Sequence, residues 1–258
     1  MANGGRIGSR NVPGIDGSSG VWSMQELADA QRLGLWPPDP YFSSVVALLH
    51  MDGADTSSTF TDVKGHTFTP AGNAQIDTAQ SKFGGASGLF DGSGDYITTP
   101  DSADWDFGTG DFTVEFFIRF KALPSSNAHT IIGNYVSSTS GWAIQFRNDA
   151  PGARLTFGSS GDSPQNDFTW LPSTATWYHV AVTRASGTVR AFADGVQVGS
   201  DVTNTEDISG STGVLMIGAL NLGPLQYLNG WLDEVRITKG VARYTTNFTP
   251  PTFPFVTM

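Results

Sequence analysis

The chain has no cysteine. That excludes a disulfide frame, a thiolate metal site and a cysteine nucleophile. Basic residues are few: 14 Lys and Arg stand against 24 Asp and Glu, for a net charge of −10. A polyanion repels phosphate backbones and anionic lipid, so neither nucleic acid nor a membrane surface is an expected partner. Long apolar runs are also missing. The longest, near Val45–Leu49, is far short of a spanning helix. The opening MANGGRIGSR has no apolar stretch behind it, so no secretion signal is expected. Glutamate is confined to Glu26, Glu115, Glu206 and Glu234. In its place the 258 residues carry 31 Gly, 14 Pro and 17 Phe. Together with the Thr and Val between them, these are the residues of short strands and tight turns.

The composition changes near residue 40. The first twenty residues hold six glycines and almost no apolar bulk, so they cannot form a core and should be extended when alone. Ser23 followed by Glu26 is a capping box, and the spacing predicts a helix from about Met24 to Leu33. Gly34 can stop it and Pro37-Pro38 forbid continuation. Trp22 and Trp36 flank this helix, Leu27 lies on its apolar face, and nothing else in the segment can cover the rings. Residues 1–40 are therefore read as an arm plus helix that docks on another chain through Trp22, Leu27 and Trp36.

Residues 41–258 read as β-structure. Within Asp111–Lys121, Phe112, Val114, Phe116, Ile118 and Phe120 alternate with Thr113, Glu115, Phe117 and Arg119, so one face should lie on a second layer. Glu115, on the other face, is expected at solvent beside Arg119. Trp177–Arg184 is apolar on both faces and reads as a central strand. Asp194-Gly195 between two strand-like runs is a two-residue hairpin signal. About ten strands without intervening helices predict an all-β, two-sheet antiparallel jelly-roll sandwich. The tail Thr249–Phe255, rich in proline, is expected along the outside of a sheet.

Catalytic chemistry finds little support. His50, His66, His129 and His179 show no metal-ligand spacing and follow no nucleophile motif. Glycosidases need two carboxylates across a sugar, and the sandwich-glucanase pattern E-x-D-x-x-E is missing. The expectation is a non-enzyme. Strict alternation in Trp231–Ile237 puts Asp233 on the row of Val235 and Ile237, where a carboxylate must be paired, capped or bound to a cation. Two readings stay open: a structural calcium held by Asp52 and Asp233, or a cap in which Asp233 accepts loop amides. Trp142, Trp170 and Tyr227 lie in or beside turns, where rings can stack on sugars or simply fill the core.

Five stretches, in order, resemble laminin-G-like, concanavalin A-like domains: Leu89–Ile97 (LFDGSGDYI), Asp111–Glu115 (DFTVE), Trp177–Val182 (WYHVAV), Phe192–Gly195 (FADG) and Gly230–Ile237 (GWLDEVRI). The resemblance implies a jelly roll of two curved sheets over roughly residues 44–248, with His179 on a structural strand. It also implies a rim calcium, for which Asp52 and Asp233 are the matching positions. Gly5–Pro13, Gly20–Glu26 and Arg32–Pro37 resemble the opening of tailed-phage structural proteins. That implies a virion location, either head decoration or tail fibre, with other virion subunits as partners. A symmetric homo-oligomer such as a trimer would suit it, as would contact with host glycan. The alternatives are a carbohydrate-binding module outside a virion and, behind it, a glycoside hydrolase or lyase.

Overall fold

The structure is a computed structural model that describes residues 38–125, 128–136, 141–159, 166–209, 211–220 and 226–257. Trp22, Leu27, Trp36 and the helix expected at 24–33 lie outside them. Short 3₁₀ turns at Phe42–Ser44 and Ala103–Trp105 are the only helical elements among the described residues. The strands are β1 (Val45–Leu49), β2 (Phe60–Thr61), β3 (Thr67–Ala71), β4 (Gln75–Asp77), β5 (Ser87–Asp91), β6 (Tyr96–Thr99), β7 (Phe112–Phe120) and β8 (Ala128–Gly133). They continue with β9 (Trp142–Asp149), β10 (Gly152–Ser159), β11 (Asn166–Thr169), β12 (Trp177–Ala185), β13 (Thr188–Ala193), β14 (Val196–Thr203), β15 (Leu215–Ile217) and β16 (Asn229–Lys239).

Two antiparallel sheets form the expected sandwich. The first runs β14-β13-β12-β7-β16-β5-β4, with β1 also on β16, and the second β11-β10-β9-β8-β15-β6-β3-β2. The alternation read in β7 holds: Phe112, Val114, Phe116, Ile118 and Phe120 are all in the core between the sheets. They meet Ile144 and Phe146 of β9 and Leu155 and Phe157 of β10 there. Asp194 (φ 48°) and Gly195 (φ 75°) make the hairpin between β13 and β14 with both central residues left-handed, the twist-matched turn.

Strands β2, β3, β4, β5 and β11 are the hardest to read from alternation. Each has five residues or fewer, or carries glycine or proline, so periodicity has little to act on.

The outer face of the first sheet is closed by the chain itself. Thr113 Oγ1 donates to the carbonyl of Val241 (3.0 Å), and Thr183 Oγ1 to that of Tyr244 (2.9 Å). Phe248 N donates to Gly195 O (2.9 Å). Further along, Phe255 packs with Phe117, Val45 and Leu48 in a second small apolar cluster. The C-terminal segment thus lies flat on the sheet without adding a strand, as its prolines dictate.

Candidate functional site at the sandwich rim

Strand β16 changes partner half-way. Asn229–Leu232 pair with β5, whereas Val235–Thr238 pair with β1. Between the halves is a bulge: against β7, Asp233 faces Phe117 but Arg236 faces Glu115, so β16 carries one extra residue. Glu234 takes it up with φ 52°, a left-handed conformation costly for a side-chain-bearing residue. The bulge also corrects the expected alternation. Leu232, Val235 and Ile237 all face the core. Asp233, opposite Phe117, therefore lies on the outer row with Trp231, and not on the core row with Val235.

A second left-handed residue faces this bulge. Met51 (φ 59°) follows β1 and separates His50 from Asp52. The two kinks gather four ionisable side chains. His50 Nδ1 lies 2.8 Å from Glu234 Oε1, and Glu234 Oε2 accepts from Phe255 N at 2.8 Å. Asp233 Oδ2 accepts from the amides of Lys82 (2.8 Å) and Phe83 (3.0 Å). Its Oδ1 is buried and has no hydrogen-bond partner. The Asp52 carboxylate rests on Gly84, where a Cβ would come within 1.9 Å of its Oδ1; φ at Gly84 is 61°, so only glycine fits. Both carboxylates thus converge on residues 82–84. A cleft of about 510 Å³ opens there, between His50 and Asp52 on one side and Phe83, Phe253 and Phe255 on the other.

The electrostatics reflect crowding. Burial, with the charges of Glu234 and Asp52 added, pushes the Asp233 carboxyl up to about 8 despite its two amide donors. Burial also raises Glu234, partly offset by His50. Desolvation raises Asp52. Desolvation opposes protonation of His50, but the hydrogen bond and charge of Glu234, with Asp52 and Asp233 nearby, hold its pKa above the usual value.

Two of the groups here are of the kind a hard cation takes. An unpartnered buried carboxylate oxygen and a neighbouring loop carboxylate are oxygen ligands, and calcium fills its remaining positions with backbone carbonyls and water. Among the described residues, no set of three or more His, Cys, Asp or Glu side chains is arranged to hold a metal. Asp52 and Asp233, the two positions expected to hold calcium, would thus be at most two of its ligands. His50 and Glu234 escaped the sequence reading; the adjacent pairs His50/Asp52 and Asp233/Glu234 were the available signal, but the two kinks that join them were not visible.

Glu115 does not reach solvent. It is fully buried under the C-terminal segment, with Oε1 taking Arg236 Nε (3.0 Å) and Nη2 (2.8 Å). Its Oε2 is 3.1 Å from His179 Nε2 and accepts from Tyr244 Oη at 2.9 Å. Burial alone would raise this carboxyl; Arg236 and His179 overcome it and hold the pKa at about 2. Asp39 extends the network, receiving Arg236 Nη1 (3.2 Å) and both terminal nitrogens of Arg243 (3.0 and 2.7 Å).

The remaining histidines are held structurally. His66 bridges Asp62 (2.7 Å) and Asp104 (3.0 Å), and burial lowers His129 to about 4. Trp142 is fully enclosed and donates from Nε1 to Trp105 O (2.9 Å), so it offers no stacking face. Trp170 is core, edge-on to Phe146 and Tyr178. Tyr227 is half-buried. The structure brings none of these three to the rim cleft.

The family model described as the concanavalin A-like lectin/glucanases superfamily matches residues 91–243, more than half of the chain. The chain belongs to this superfamily. The match begins at the end of β5, so β1 to β4, and with them Asp52, are supplied by the structure alone. No curated protein matches by sequence. Among solved structures, domain 4 of AbnA, an extracellular arabinanase from Geobacillus stearothermophilus in complex with arabinotriose, is 22% identical with TM-score 0.57, over 77% of this chain and 94% of that one. The binding domain of Paraclostridial mosquitocidal protein 1 is 14% identical with TM-score 0.57, over 78% and 50%. The binding domain of botulinum neurotoxin serotype C1 is 15% identical with TM-score 0.55, over 78% and 50%. The chain spans about half the length of the toxin domains it matches. At these identities the likeness concerns the fold. No helix of the described residues is long and apolar enough to cross a membrane.

Proposed function

We propose that this chain is a non-catalytic, lectin-like module displayed on a virion, with residues 1–37 gripping a neighbouring subunit and the sandwich contacting glycan. The observation that supports it best is the clamp on Asp39. Two arginines hold Asp39 at the start of the described residues against the sheet. A leader too glycine-rich to fold alone, ahead of a β-body, suits a tether that orders on binding. The two structural neighbours described by their binding domains, and the third solved with arabinotriose, support a binding role over a catalytic one. Glu115, locked between Arg236 and His179, is not placed to act on a sugar. Calcium at Asp52 and Asp233 would serve the structure: it would supply charge to the unpartnered Oδ1 and hold the 82–84 loop.

The test is particle composition. Mass spectrometry should find the full chain in purified phage particles. A form lacking residues 1–37 should melt at the same temperature and be missing from them. Full-length chain free of the particles would overturn the virion placement. It would leave a free carbohydrate-binding module, favoured by the arabinotriose-bound neighbour.

A further inference from the structure

The outer face of the first sheet is covered unevenly. The C-terminal segment closes it over Thr113, Glu115, His179 and Thr183, all fully buried. It reaches as far as Phe117, against which Phe255 packs. The next row is left half-open. It runs Trp177, Arg119, Trp231, Leu89 across β12, β7, β16 and β5. Trp231 is buried; its Nε1 donates to Asp77 Oδ2 (2.7 Å), and the Arg119 guanidinium lies over its ring. Trp177, Arg119 and Leu89 are half-buried. Arg119 differs from the other arginines described. Arg147, Arg154, Arg190, Arg236 and Arg243 pair with carboxylates, and Arg184 donates to backbone carbonyls. The Arg119 guanidinium makes no ion pair or hydrogen bond among the described residues. Exposed Lys82 stands nearby, its Nζ 5.2 Å from the Phe117 ring. A chain of net charge −10 thus carries a cation between two indoles with its donors unused. Arginine and tryptophan dominate protein contacts, and a carboxylate is what a guanidinium takes in two parallel bonds.

The leader enters on this same face. Arg236 joins Glu115 to Asp39, at the start of the described residues. Arg119 lies four residues beyond Glu115 on β7, an even number, so both point outward, about 13 Å apart at the rise of a strand. The residues ahead of Asp39 carry what the row lacks. Trp22, Leu27 and Trp36 are apolar and need cover. At helical spacing, Glu26 and Asp29 share a face with Ala30 and Leu33, so acids border an apolar stripe. Pro37, Pro38 and Pro40 fix three backbone angles around the exit, which opposes a tight reversal onto the chain's own sheet. Because the leader leaves from the face that would receive it, two copies related by a two-fold axis need only bring those faces together to exchange leaders.

We propose that this row seats residues 22–36 from the leader of a second copy, with Glu26 and Asp29 of that leader on Arg119 and its tryptophans beside Trp177. This rests on the leader grip proposed above and names the subunit it takes hold of. The experiment is sedimentation equilibrium of the full chain over a wide concentration range. Arg119→Glu, the leader variant Glu26→Gln with Asp29→Arg, and the combination of all three changes are run in parallel, with melting to confirm that each is folded. The glutamine keeps the capping box. The expected result is a reversible dimer. Each of the first two variants should weaken it about a hundredfold by setting like charges together, and the combination should restore it to within about tenfold of the parent. A dimer that neither variant weakens, or a combination no tighter than the first two, would overturn this seat and leave the leader grip standing. A parent that stays monomeric would overturn the second copy as partner. If that monomer also loses melting temperature on removal of residues 1–37, the leader lies on its own sandwich and both readings fall.

Discussion

Glu115 and Asp233 are buried carboxylates on neighbouring strands of one sheet, and they settle in opposite ways. Glu115 has a guanidinium, a ring nitrogen and a phenol around it and stays ionised, with a pKa of about 2. Asp233 has two backbone amides on one oxygen, nothing on the other, and acidic neighbours, and its pKa rises to about 8. Burial is common to both and so does not decide their charge; the partners do. The first is a fully partnered structural joint, and the second leaves one carboxylate oxygen without a hydrogen bond among the described residues.

The largest effect should come from breaking the partnered joint. Glu115→Gln removes the charge that Arg236, His179 and Tyr244 share under the C-terminal segment, leaving Arg236 only Asp39, and should cost roughly 3–5 kcal/mol in denaturant unfolding. A cost below about 1 kcal/mol would mean that the network contributes little. The next is a pH effect, with opposite signs at the two sites. Between about 2 and the ordinary carboxyl range, the unfolded chain binds more protons at Glu115, so its contribution grows as pH rises and is complete above that range. At Asp233 the folded chain holds the proton longer. Its contribution is therefore complete in acid and is lost as pH climbs from the ordinary carboxyl range to about 8. Without divalent cation, stability should fall as pH climbs from the ordinary carboxyl range toward about 8, and Asp233→Asn should shrink that decline, leaving the smaller share of Glu234, Asp52 and His50, whose pKa values are also raised. An unchanged decline in Asp233→Asn would reject the assignment.

Cation removal sharpens the same contrast. At pH 8, calcium in excess should raise the melting temperature by about 5 °C, and EDTA should reverse it. Asp52→Asn together with Asp233→Asn should abolish the shift, while Glu115→Gln should keep it. A melting temperature that ignores both calcium and EDTA would remove the metal from this rim. The smallest expected effect is at Arg119, whose guanidinium lies over Trp231 (5.1 Å) beside Asp233 on the outer row. Arg119→Ala should cost about 0.5 kcal/mol in the same unfolding measurement.

The contrast also shows what the residue pattern could carry. The aromatic face of β7, the hairpin at Asp194-Gly195 and the sandwich itself follow from period-two alternation and turn chemistry. The outer position of Asp233 does not, because one bulge residue reverses the parity of everything before it. Nor does the burial of Glu115, which depends on a segment more than a hundred residues away folding back over it. Asp52 and Asp233 were legible as acids near strand ends, whereas their convergence on residues 82–84 needed two left-handed kinks on separate strands.

Strand β16 holds β7 on one side and both β5 and β1 on the other. It is also the last strand in the chain. During synthesis, β1, β5 and β7 must therefore wait on the ribosome for their shared neighbour, with an edge of each unpaired from its own end at Leu49, Asp91 or Phe120 until Asn229 emerges. A nascent chain stopped before Asn229 should be a chaperone client, whereas one released just past Lys239 has every piece it needs to close the sheet.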